Sequence, residues 1–235
     1  MQGMQTRLMA ILAALFAVVA VIAGCSSSTQ DSGKELPDAA TLLKQSSETT
    51  KSQTSVHLKL TVQGEFPDLP IGSLEGDLTN SPATAAQGKA NINFLGQRLE
   101  GVDFVVADGI LYGALSAGSY QDFGPAIDIY DVSSILSPDA GLANVLANFT
   151  DAKADGRETL NGVETVRVTG TVSADAVNKI APQIKATGPV PATAWIAEEG
   201  DHELVQSKLE PSSGNSVTMT LSEWGKPVTV TKPAA

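Results

Sequence analysis

Val102-Asp103-Phe104-Val105-Val106-Ala107-Asp108-Gly109-Ile110-Leu111-Tyr112-Gly113-Ala114 decides how this chain folds. Two apolar runs flank Asp108-Gly109, a dipeptide suited to the positive backbone angles of a tight hairpin. Alternation puts Val102, Phe104 and Val106 on one face of the first strand, and Ile110, Tyr112 and Ala114 are read as continuing that face on the second. The same period of two recurs upstream. Val56, Leu58, Leu60 and Val62 alternate with Ser55, His57, Lys59 and Thr61. Leu74, Gly76 and Leu78 alternate with Ser73, Glu75 and Asp77, and Ala90, Ile92 and Phe94 alternate with Asn91 and Asn93. Phe66-Pro67-Asp68-Leu69-Pro70 and Asn80-Ser81-Pro82 are the breaks between them. Downstream, strands are expected at 163–172 after Asn161-Gly162, at 192–197, at 204–209 after Glu199-Gly200-Asp201, and at 217–224, with 228–231 as a further edge.

Helical signals are fewer. Pro37-Asp38-Ala39 opens a helix running to Lys51, with Leu42 and Leu43 on its apolar face. Asp131 caps a short helix through Leu136, and Ser137-Pro138-Asp139 opens another with Leu142, Val145, Leu146 and Phe149 along one side. Ser173 caps a last one over 174–180. Many strands joined by short turns, with a few helices, predict an α+β fold: one large antiparallel sheet with the helices on one side. A large sheet twists and curls. Its covered face would enclose an interior of Val, Leu, Ile, Phe and Ala, either packed solid or hollow. Alternation places Val56, Leu58, Leu60, Ala90, Ile92, Phe94, Val102, Phe104, Val106, Ile110 and Tyr112 on that inner face. Leu142, Val145, Leu146 and Phe149 would close it from the helices.

The N-terminus bears on where this domain works. After Arg7, the apolar stretch Leu8 to Ala23 leads into Ile22-Ala23-Gly24-Cys25, and Cys25 is the sole cysteine. A charged start, an apolar middle and small residues before a cysteine read as the signal peptide of a bacterial lipoprotein, whose thiol is acylated. The competing reading is a membrane-spanning helix. At ~1.5 Å per residue, however, the apolar stretch reaches roughly 24 Å, short of the ~30 Å hydrocarbon core. The organisation expected is a signal peptide at 1–24, acylated Cys25 with a polar tether to 35, one domain over 36–231, and a tail at 232–235. Such a protein is exported and held by its acyl chains on the outer, periplasmic face of the inner membrane, with a share secreted. Two or more chains anchor firmly where one holds marginally.

The formal net charge of -11, with 15 basic and 26 acidic residues, argues against nucleic acid as a partner, because phosphate contacts need a basic face. No catalytic constellation is legible. Two histidines and one cysteine cannot assemble a Cys/His metal cluster. There is no G-x-S-x-G elbow and no phosphate-cradling G-x-x-x-x-G-K-[ST] loop. His57 falls on the polar face of its strand, and His202 lies in a turn beside Asp201 and Glu203. Glu198-Glu199-Gly200-Asp201 reads as a charged hairpin tip before it reads as a cation site. The expectation is a protein without enzymatic activity and without cofactor or metal.

Several stretches resemble the mycobacterial LprG/LppX (LppX_LprAFG) lipoprotein family, its LprG branch most closely. They are 102–106 with 108–112, 122–126 leading to 128–131, 141–149, 190–193 with Trp195-Ile196, 214–217, and Leu221-Ser222 with Trp224-Gly225. The resemblance spans the whole mature chain and is weakest in the tether and over 83–87. It implies a highly curved antiparallel half-barrel closed by helices around a hydrophobic cavity. It further implies binding of triacylated glycolipids, among them phosphatidylinositol mannosides, lipomannan and lipoarabinomannan, and of triacylglycerol. A membrane transporter of the major facilitator class is the partner it implies, moving lipid toward the outer envelope. Two other classes remain beside it: a structural or adhesive envelope lipoprotein with a filled core, and a lipid hydrolase, for which no nucleophile is visible.

Overall fold

The computed structural model describes residues 35–234 except 68, 95 and 117, and the side chain of Phe94 is also outside the described set. Cys25, the signal segment and all of the tether before Glu35 lie outside it. The unit Leu36–Ala235 is built on one sheet of 11 strands in the order β6-β5-β4-β3-β2-β1-β11-β10-β9-β8-β7. All neighbours are antiparallel, and the sheet is open, with β6 and β7 at its edges. Strands β1 (Ser55–Gln63), β2 (Ile71–Thr79), β3 (Ala85–Phe94), β4 (Gln97–Ala107), β5 (Ile110–Ser116) and β6 (Ser119–Pro125) form a meander. β7 (Phe149–Leu160), β8 (Val163–Val172), β9 (Val190–Ala197), β10 (Leu204–Ser212) and β11 (Asn215–Ser222) form a second, and β1 pairs with β11 to join them.

Helix α1 (Ala39–Lys51) begins where Asp38 accepts a hydrogen bond from the Thr41 amide at 2.8 Å. The Thr41 hydroxyl and amide together hold the Asp38 carboxyl below its usual pKa. Lys51 in the last turn complements the helix dipole. Its buried side carries Leu42, Leu43, Ser46 and Ser47, and the Ser47 hydroxyl donates to the Ala143 carbonyl of α2 (Leu142–Ala147) at 2.8 Å. Helix α3 (Ala174–Ile180) starts at Ser173, whose hydroxyl accepts from the Ala176 amide. Short 3-10 turns at Ala126–Asp128, Val132–Leu136 and Pro182–Ile184 complete the cover.

Three sequence expectations need correction. β6 and β7 had not been expected as strands. The run Phe149–Leu160 carries mostly charged and small residues, with Ala152 and Ala154 as its small apolar positions, so no alternation of large apolar residues marks it. Phe149 therefore opens β7 rather than ending a helix, and α2 starts at Leu142, after a turn through Pro138. The segment after β11 adds no edge strand: Gly225 donates to the Ser55 carbonyl at 3.0 Å, and the chain crosses the outer face so that Val230 packs on Val105, Ala107 and Tyr112. There Lys232 sits 5.7 Å from the Tyr112 ring centre and 3.5 Å from Asp108.

Candidate functional site

Cross-strand register arranges the inner face of the β1–β5 half in rows. One row reads Val56, Leu78, Ala86, Val106, Leu111. The next reads Leu58, Gly76, Gly88, Phe104, Gly113, and a third reads Leu60, Leu74, Ala90, Val102. Three glycines stand in the middle row beside Leu58 and Phe104, and at Gly113 the Phe123 ring lies 2.9 Å from where a Cβ would sit. The strands also close on one another there. A Cβ on Gly76 would lie 2.1 Å from the Gln87 carbonyl oxygen, and one on Gly88 would lie 2.2 Å from that of Glu75. Only glycine fits this approach.

Two adjoining cavities lie over these rows. The larger, about 220 Å³, is bounded by Ala90, Val102, Phe104, Leu111, Gly113 and Phe123 beneath and by Ala126, Ile129 and Val132 above. The smaller, about 100 Å³, lies between Leu58, Leu60 and Met219 on the sheet and Ile180, Ala181 and Ile184 on the cover. Ile71, Leu74, Phe104, Tyr130 and Val132 border both, so they form the partition. Both linings are dominated by Leu, Ile, Val and Phe side chains, which suits an apolar ligand. The polar group in the partition is Tyr130, which donates to the Ile180 carbonyl at 2.8 Å and accepts from the Ser134 hydroxyl at 3.0 Å. Burial raises the Tyr130 pKa to about 12; the Asp131 charge adds to that rise and the Ser134 bond opposes it. A second tie joins the two cover segments, from the Gln183 amide to the Ile129 carbonyl at 3.3 Å.

Of the residues expected on the inner face, Leu58, Leu60, Ala90, Ile92, Val102, Phe104 and Val106 border the cavities. Ile110 and Tyr112 do not: they belong to the outer face, with Val105 and Ala107. The reason is the hairpin itself. Asp108 and Gly109, at φ 55 and 77, form a two-residue turn that pairs Ala107 with Ile110 and Val106 with Leu111. Directly paired residues share a face, so Leu111, Gly113 and Leu115 take the inner positions. Leu142, Val145 and Leu146 are fully buried, yet they pack in the solid core where α2 meets α1, and neither they nor Val56 or Phe149 borders either cavity. Phe94 lies in β3, its side chain outside the described set. Reasoning from sequence also missed Ile71, which falls between the break at 66–70 and the strand read from Ser73, and the run 126–132, whose Ala126, Ile129 and Tyr130 form the roof.

Polar groups that might have marked chemistry are spent on structure. On the outer face His57 meets Asp77 at 2.7 Å, Lys59 meets Glu75 at 3.4 Å and Lys89 meets Asp103 at 2.5 Å. Glu198, at the hairpin tip weighed as a cation site, takes a two-point contact from Arg157 at 2.7 and 2.9 Å. Among the described residues no group of His, Cys, Asp and Glu is arranged to hold a metal ion, and no helix is long and apolar enough to cross a membrane.

Known proteins carry the same architecture. The crystal structure of LprF from Mycobacterium bovis superposes with a TM-score of 0.77 at 33% identity, covering 86% of this chain and 100% of that one. That of the lipoprotein LppX from Mycobacterium tuberculosis gives 0.65 at 29% identity, covering 82% and 98%. In sequence, the lipoarabinomannan carrier protein LprG of Mycolicibacterium hassiacum is 62% identical over 232 residues, 99% of this chain and 100% of that protein. Its namesake in Mycobacterium tuberculosis is 54% identical over 227 residues, 97% and 95% of the two chains. The LppX_LprAFG lipoprotein model matches residues 38–230, and with relatives this similar over nearly their whole length the chain belongs to that family.

Proposed function

We propose that this protein is a non-enzymatic carrier of acylated lipid, exported and tethered to the periplasmic face of the inner membrane through acylated Cys25. Its cargo is read as triacylated glycolipid, namely phosphatidylinositol mannosides and their lipomannan and lipoarabinomannan extensions, with triacylglycerol as a second cargo. A transporter of the major facilitator class is its membrane partner. The observation that carries this reading is the pair of adjoining apolar cavities over the inner face of β1–β5. Such a space rewards acyl chains at about 0.8 kcal/mol per buried methylene, so one long chain gains on the order of ten kcal/mol before the entropic cost of binding. The relatives named as lipoarabinomannan carriers support the glycolipid head group. The Tyr130 hydroxyl, at the partition between the cavities, is engaged as donor to the Ile180 carbonyl and as acceptor from the Ser134 hydroxyl.

The test is native mass spectrometry of the protein purified from its own membrane. Co-purified acylated glycolipid or triacylglycerol, one molecule per chain, is the expected result. A protein free of lipid would favour the structural lipoprotein, and fatty acid released from added triacylglycerol would revive the hydrolase.

A further inference from the structure

The larger cavity opens to solvent past a rim that water should not favour. Ile127 is 68% exposed, Ile129 44% and Leu115 38%, and these are three of the four exposed large hydrophobic side chains among the described residues. Leu115 and Ile129 also border the larger cavity, so the exposed patch and the cavity wall are one continuous apolar surface. Ile127 stands just outside, on the 3-10 turn Ala126–Asp128. We infer that this rim is a docking surface for a lipid bilayer, dipping into the outermost acyl layer so that a chain can pass into the cavity without crossing water. The inference rests on the carrier reading for what passes through the rim, but not for the docking itself.

Composition and size select the bilayer over a protein. Three aliphatic side chains fall far short of the roughly 20–30 residues a side of a stable protein interface. Of the anchors such interfaces favour, 115–132 has neither Trp nor Arg, its Tyr130 is tied into the roof, and its Tyr120 packs on the outer-face cluster of Val105, Ala107 and Tyr112. Together the exposed fractions amount to about one and a half fully exposed side chains. Their burial would favour the membrane on the order of a hundredfold, weak enough to let the carrier leave again. Charge argues against attraction by an anionic head-group surface and leaves the apolar side chains as what binds. Segment 115–132 carries Asp122, Asp128 and Asp131 and no Lys or Arg. Arg98, on the tip beside the cavity-lining Asn93, is paired with Glu100 at 3.1 Å, and Lys185 lies on the facing turn.

Ile127→Trp in the full chain, placed on neutral phosphatidylcholine vesicles, tests this directly. The added indole emission should shift to the blue and be quenched by lipid brominated in its acyl chains, while a chain with only Trp195 and Trp224 is not. Unquenched emission, quenching that appears only on anionic vesicles and vanishes at high salt, or a blue shift without vesicles accompanied by a doubled mass would each overturn the inference. A second arm uses Ile127→Asp, a residue that does not line the cavity. Transfer of a fluorescent phosphatidylcholine between vesicles should fall about tenfold or more, with binding of the same probe in detergent unchanged within about twofold. Unchanged transfer would overturn the inference. Failure of the unsubstituted chain to bind the probe at all would count against the carrier reading, leaving the quenching result to decide the rim.

Discussion

The two halves of this sheet are written in the same alternating code and end differently. Across β8 and β9 the inner positions are Val166, Val168, Ala194 and Ile196, all 0% exposed. The apolar sides of α1, α2 and α3 are buried with them in one cluster. Where that face has a glycine, Gly170, the Phe149 ring closes over it, 3.2 Å from where a Cβ would sit. Across β2 and β3 the inner positions include Gly76, Gly88 and Ala90, and short 3-10 turns replace full helices above them. One half is a packed core and the other a container. The period of two tells which residues face inward; the sizes of those residues and the length of the covering elements tell whether the space is filled.

The largest contrast should appear on truncation. Ile196→Ala in the packed half leaves a hole that its neighbours cannot refill, so a loss of about 2–5 kcal/mol is expected in urea unfolding. Leu74→Ala lies between the two cavities, where one side of the side chain already lacks neighbours. It should cost about 1 kcal/mol and widen the space for ligand. Equal losses at the two sites would erase the distinction between the halves.

The roof of the container should be the part that fails in alkali. The Tyr130 hydroxyl is held neutral by burial, with a pKa raised from 10.0 to about 12. Below pH 10 its contribution is fully present. Between pH 10 and 12 the unfolded chain gives up this proton before the folded one, so stability falls with rising pH, by up to about 3 kcal/mol. Tyr130→Phe should flatten that slope while losing about 1 kcal/mol near neutrality, because the Ile180 carbonyl loses its donor. An identical alkaline slope in the variant would place its cause elsewhere.

Much of this was readable beforehand, and the failures have physical causes. The cap at Asp38, the hairpin at Asp108-Gly109 and the helix after Ser173 are local chemistry, and each stands where that chemistry puts it. β7 was missed because a strand of Asp, Lys, Arg, Glu and Ala carries no contrast between its faces. Ile110 and Tyr112 were placed on the wrong face because alternation was carried straight through a turn, when the pairing of Ala107 with Ile110 preserves the face across it. Leu142, Val145 and Leu146 are equally apolar whether they close a cavity or fill a core. Only the packing of α2 on α1, which is tertiary, separates those roles.

The glycine row can be challenged next. Gly88→Ala places a methyl 2.2 Å from the Glu75 carbonyl oxygen and 2.7 Å from the Gly76 Cα, and backbone atoms cannot step aside as side chains do. The two strands must part, at a cost of about 1–3 kcal/mol in thermal or urea unfolding. A neutral outcome would mean that the sheet gives way freely at this point and that the close approach of β2 and β3 does not require glycine.

The smallest change in stability is expected at Ala90, where the largest change in binding is also expected. Ala90 is 9% exposed and sits in the row between Leu74 and Val102, with the larger cavity directly above it. In a filled core Ala90→Trp would overpack and lose about 1–3 kcal/mol or more. Here the indole has about 220 Å³ of unoccupied apolar space to enter, so it gains burial without displacing a neighbour. The melting temperature of the lipid-free protein should therefore barely move, while capture of an acylated glycolipid collapses because the indole lies where an acyl chain would. The inverse result, a large drop in melting temperature with binding retained, would mean that the space over Ala90 is taken up by the protein itself in solution. The two halves of the sheet would then differ in sequence alone and not in how they are filled.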